Sequence, residues 1–137
     1  MEVYEKSYKG LVLWLIGFLA AEILPAFLPI SDGALLTRIV MNVMTLGLTI
    51  LCWMMFRNER IYWINGVSFE QAKRATSEQR REFAMVYLKK FGRFALIYLA
   101  FSVLAQCIRL HIVFDILIAC VGLVAVAIST IKIKLEA

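Results

Sequence analysis

Apolar residues gather into four long runs, 10–30, 39–56, 94–110 and 112–131, divided by brief polar breaks and one long charged stretch. A helix needs about 20 predominantly apolar residues to cross a hydrocarbon layer about 30 Å thick, and each run is near that length. Lipid offers no water to unpaired amides, so a spanning segment must satisfy its own backbone. The pattern predicts an all-α membrane protein: a four-transmembrane-helix bundle with spans at 10–30, 38–56, 94–110 and 112–131. These use most of the chain, leaving a single integral membrane domain over 1–137. The first run exceeds the apolar core of a secretory signal, and Pro25-Ala26-Phe27 offers no small-x-small cleavage site. It is therefore read as a retained span.

The charged stretch, 57–93, predicts an amphipathic helical loop between the second and third spans. Ser68 with Gln71, and Thr76 with Gln79, each have the spacing of a capping box, in which side chain and backbone satisfy each other at a helix start. Two helices broken near Ala75-Thr76 follow, the second expected to run on into the third span. Phe83, Tyr87, Phe91 and Phe94 form one stripe along it, suited to headgroups or to the bundle. The segment 61–66 reads as interfacial, ending in an Asn65-Gly66 turn.

Composition agrees: 62% hydrophobic residues is well above a soluble domain's usual share. The net charge of +5 changes meaning once it is placed. Residues 57–93 hold nine basic side chains against Glu59, Glu70, Glu78 and Glu82, the whole excess. Lys6, Lys9, Lys132 and Lys134 flank the outer ends of the first and last spans, and only Arg38 and Arg109 fall on the opposite side. Lys and Arg accumulate in cytoplasmic loops, so both termini and the 57–93 loop are predicted to face the cytoplasm, in a cell (inner) membrane. Trp14, Trp53, Tyr62, Trp63 and Tyr98 fall at or near that interface. Arg80, Arg81, Lys89, Lys90 and Arg93, interleaved with aromatics, are expected to meet anionic lipid, at roughly 1 kcal/mol per basic residue near the surface. No base-reading or stacking module accompanies the charge, which argues against nucleic acid.

Little points to bond-breaking chemistry. Cys52, Cys107 and Cys120 lie singly within spans and His111 is the one histidine, so neither a disulfide framework nor a metal centre is expected. Phosphate loops, GxSxG and HExxH are missing, and no cofactor is implied. Asp115, near the start of the fourth span, is read as complementing its helix dipole.

Glu22 stands out because a carboxylate at membrane depth is costly and marks a functional site by default. Arg38, Asn42, Thr45 and Thr49 share one face of the second span; Tyr98, Ser102, Gln106 and Arg109 share one face of the third. Glu22, Asn42, Thr45, Ser102, Gln106 and Arg109 therefore form the candidate binding set, an interior cluster in the outer half of the bundle. Pro25 removes a helix hydrogen bond and frees the carbonyl of Ala21 beside it. Glu22 could then be interhelical glue, a proton or cation site, or a contact with another membrane protein.

Leu19-Ala20-Ala21-Glu22-Ile23 in a four-span chain resembles the first helix of the small multidrug resistance transporters, and 117–123 is loosely similar to their fourth. That resemblance implies a proton and cationic-drug site at Glu22 in paired subunits, although the long charged 57–93 stretch departs from that family's short loops. Thr76-Ser77-Glu78, Arg80-Arg81-Glu82-Phe83 and 88–92, followed by two spans, resemble small Gram-positive membrane proteins related to bacteriocin-immunity proteins. They imply toxin binding or signalling. The expectation is a protein that binds, of immunity, regulatory or interaction type, with a protein partner or a second copy. A transporter using Glu22, or an accessory subunit of a larger complex, is the alternative.

Overall fold

The computed structural model describes residues 6–63 and 67–131. Asn65-Gly66, Lys132 and Lys134 lie outside the described residues. The chain is all-helical, without strands among the described residues, and four of its helices are long and apolar enough to cross a membrane. They are α1 (Lys9–Ile23) together with the 3-10 turn Leu24–Phe27 that continues it, α2 (Gly33–Asn58), α4 (Ser77–Ile108) and α5 (Ile112–Ile131), with the short α3 (Phe69–Arg74) between α2 and α4.

Local chemistry fixes the helix ends. Pro25 does not kink α1 but ends it: the chain tightens into a 3-10 turn over Leu24–Phe27, closed by Leu28 N–H on the carbonyl of Pro25. Asp32 caps α2, its Oδ1 accepting from the amides of Ala34 and Leu35 at 3.0 and 3.3 Å. Both capping boxes are present, Ser68 with Gln71 on α3 and Thr76 with Gln79 on α4. From Thr76 onward α4 runs unbroken for 32 residues, about 48 Å at a rise of about 1.5 Å per residue. That exceeds the hydrocarbon layer by more than 10 Å, so one rod combines a loop helix and a span. At its other end Arg109 adopts a left-handed conformation, φ 55°. This stops α4 and lets α5 begin three residues later.

α2 and α4 pack antiparallel along their lengths, and α5 closes against both. At the charged end the core is apolar: Cys52 and Met55 of α2 meet Phe83, Ala84 and Tyr87 of α4, with Ile61, Tyr62 and Ala72 beneath. The aromatic stripe of α4 thus faces inward at Phe83 and Tyr87, where burial of large rings holds α3 and the 3-10 turn Ile61–Trp63 under the bundle. Farther along, buried Ala95, Ala105 and Ala119 let the helix backbones approach, as small residues do where lipid supplies no hydrophobic drive for association. Gly122 serves the same end, since a Cβ there would run into the Phe94 ring.

α1 is set apart. None of its residues is buried, and it lies against the side of α2 that carries Val43, Gly47, Ile50 and Met54. At about 100° per residue that side is opposite Arg38, Asn42, Thr45 and Cys52, which turn toward α4 and α5. Two contacts anchor its middle to α2. The indole N–H of Trp14 donates to the carbonyl of Gly47 at 2.8 Å, and the Phe18 ring occupies the space a Cβ at Gly47 would need. Its start is tied to the 3-10 turn: Ser7 N–H donates to the Tyr62 hydroxyl at 2.6 Å, and Trp63 Nε1 donates to the Ser7 carbonyl at 2.9 Å.

Candidate functional site

The chemistry concentrates between α2, α4 and α5, near the end away from the charged loop. Arg38 enters from α2, 3% exposed, and Asp115 from α5, fully buried. They meet as a two-pronged pair: Nε to Oδ2 at 3.0 Å and Nη2 to Oδ1 at 2.9 Å. A guanidinium matches a carboxylate in this fork geometry, giving shorter and stronger bonds than neutral partners. Nη1 also donates to Oε1 of Gln106 at 2.6 Å, and Nη2 to the carbonyl of Leu110 at 2.6 Å. The last bond has a structural logic. Leu110 lies in the short link between α4 and α5, so no helix supplies an amide to its carbonyl. A part-buried carbonyl without a donor is costly, and Arg38 covers it.

The cluster extends both ways. Gln106 donates through Nε2 to Oδ2 of Asp32 at 3.2 Å, which joins the pair to the cap of α2. That amide, followed by the Leu35 amide, holds the Asp32 carboxyl below its usual range, with the Ala34 amide and Arg38 adding smaller pulls. In the other direction Asn42 donates to Oγ of Ser102 at 2.9 Å, and Thr45 turns its hydroxyl to the carbonyl of Asn42. Beyond Ser102, Tyr98 is fully buried and its hydroxyl has no partner; Oδ1 of Asn42 is likewise buried and unpartnered. A cavity of about 400 Å³ lined by Asp32, Arg38, Gln106 and Arg109 opens at the mouth of the cluster.

Of the sequence-predicted set, Asn42, Thr45, Ser102 and Gln106 come together here. Arg109 sits exposed at the mouth, at the end of α4. Glu22 does not join them. It lies on α1, on the far side of α2, half-buried, with Oε1 enclosed and no hydrogen bond to any described residue. The residues that anchor the cluster, Arg38 and Asp115, were outside the predicted set, and Asp115 serves an ion pair besides starting a helix. A signal was available: opposite charges at similar distances from the outer ends of two apolar runs.

The basic residues also divide. Arg81, Lys89 and Arg93 are exposed. Arg80 turns inward, donating to the carbonyls of Ala72 and Ala75 at 3.1 and 2.7 Å and pairing with Glu59 at 3.3 Å, so it closes the end of α3. Lys90 reaches Ser129 of α5 at 3.2 Å. Among the described residues no group of His, Cys, Asp or Glu could hold a metal ion. No protein-family model matches the chain, and neither the curated proteins nor the solved structures contain a significant match.

Proposed function

We propose that this is a small multi-pass protein of a cell membrane, with both termini and the 57–93 segment cytoplasmic, that acts by binding a partner in the membrane. The carrying observation is that the charged groups of its polar interior are spent on each other, with the Tyr98 hydroxyl and Asn42 Oδ1 left buried without a partner among the described residues. Arg38, Asp115, Gln106 and Asp32 spend their hydrogen bonds on each other and on the α4–α5 link. Such a cluster fixes helix register and leaves little chemistry aimed at a substrate. Meanwhile α1 offers an almost complete apolar surface, the property of a helix with room for a neighbour. An immunity, regulatory or accessory-subunit role is consistent with this. The exposed Arg81, Lys89 and Arg93 support attraction to anionic lipid at the cytoplasmic surface.

A transporter using Glu22 is the second reading, favoured by the unpartnered carboxyl on α1. The two readings separate in one pair of measurements. In native membranes, a photo-crosslinker placed along α1 should capture one membrane protein reproducibly. In proteoliposomes, addition of cationic solutes to the protein should release no protons. Solute-dependent release abolished by Glu22→Gln would reverse the order of the two readings.

A further inference from the structure

Resting on the binding role just proposed, we infer that the flank of α1 running from Val12 to Glu22 docks a partner transmembrane helix that presents a basic side chain to the Glu22 carboxyl. The first ground is charge. Four charged side chains, Glu22, Arg38, Arg109 and Asp115, lie within the four apolar runs or at their outer edge; Arg38 and Asp115 are paired, and Arg109 is exposed at the end of α4. Glu22 stands apart from them: Oε1 is enclosed and makes no hydrogen bond, and the ion pair and the Asn42–Ser102 contact lie across α2. A carboxyl in hydrocarbon needs a donor, and the described chain brings none to it.

The second ground is shape. Val12, Leu15, Leu19 and Glu22 are spaced +3, +4, +3, which is the spacing that seats one helix against another. Val12, Leu15 and Leu19 are each about half exposed, at 51%, 47% and 51%. Trp14 and Phe18, which bind α1 to α2, lie to one side of this seam, so a second helix can occupy it without displacing α2. An apolar helix would fill the seam and leave the carboxyl bare. A helix with Lys or Arg at the level of Glu22 fills it and pairs the charge, so the partner's chemistry follows from the residue left unsatisfied.

The test uses the full chain in vesicles, carrying a donor dye. The probes are designed Leu- and Ala-rich transmembrane helices carrying an acceptor dye, one with a single Lys at the depth of Glu22 and one with Leu in its place. Energy transfer above random mixing is expected for the Lys helix, with binding roughly fivefold tighter than for the Leu helix, the scale of one interhelical hydrogen bond. Glu22→Leu should erase that difference while leaving the fold intact, because Glu22 has no partner to lose. Leu19→Trp should weaken the Lys helix by obstructing the seam. Equal binding of both helices, or an unchanged preference in Glu22→Leu, overturns the proposal. So does transfer between two labelled copies of the chain that Glu22→Leu abolishes, which would make the occupant a second copy. Crosslinking of a partner in native membranes that survives Glu22→Leu would overturn this face alone and leave the binding role standing.

Discussion

At the scale of single residues, the Arg38–Asp115 pair decides how the half of the bundle away from the charged loop behaves. Removing one member of a buried pair leaves the other charge uncompensated, a loss of about 3–5 kcal/mol in general. Arg38→Ala or Asp115→Ala should therefore destabilise strongly, Arg38→Ala the more because it also uncovers the Leu110 carbonyl. Arg38→Met with Asp115→Leu should recover much of the loss, since a well-packed apolar pair often equals a buried ionic one. Thermal unfolding in one detergent for all three variants checks this ordering; a double variant as weak as the singles would refute it. Asp32 gives a pH prediction. Its folded carboxyl is held below the ordinary value of 3.8 by Gln106 and the first amides of α2. Its contribution to stability is thus present above 3.8 and is lost as pH falls through the lower folded value. Melting temperature should drop in that acid window, and Asp32→Asn should flatten that part of the profile and lower the melting temperature slightly at neutral pH, where the carboxylate's contribution is fully present.

At the scale of elements, helix ends were easier to read from sequence than helix partners. The capping boxes at Ser68 and Thr76 declare themselves in four residues each, and Thr76→Ala should cost about 1 kcal/mol, seen as earlier hydrogen exchange in the first turns of α4. Side-chain direction was harder. Apolar residues surround α1 on every side, so nothing in its pattern says which flank meets α2. Depth alone put Glu22 level with the Asn42 and Ser102 cluster, and depth carries no azimuth. What decides it is Gly47, whose missing Cβ admits Phe18 and whose carbonyl takes the Trp14 indole. Gly47→Ala should accordingly push the Phe18 ring away and loosen α1 from α2 at about 1–3 kcal/mol, the usual scale of overpacking. Hydrogen exchange should rise in α1 while the interface of α2 with α4 stays protected. Equal loosening of both would mean that α1 is part of the central bundle.

At the scale of the whole molecule, the number of spans was legible because lipid imposes length and backbone closure at once. The Arg38–Asp115 pair was less so, because two charges 77 residues apart give no local hint that they meet. Orientation depends on charge and on the length of α4 together. Glu78, Arg80, Arg81, Glu82, Lys89, Lys90 and Arg93 all lie in the first 17 of its 32 residues, so the length beyond the hydrocarbon projects from that end. Asp32 and the α4–α5 link lie at the opposite end, where Arg38 and Arg109 are the only basic residues. Under the proposed orientation, the bias of Lys and Arg toward the cytoplasm puts the charged end of α4 on that side. In a cysteine-free background, single cysteines at positions 6, 89 and 134 should react with a membrane-impermeant maleimide only after the cytoplasmic face is opened, and one at position 32 should react in intact cells. Asp32 is exposed, so its silence would not be a matter of burial. Labelling of position 89 from outside would invert the molecule, place the charged end of α4 outside the cell, and move the exposed Arg81, Lys89 and Arg93 away from the anionic leaflet that suits them.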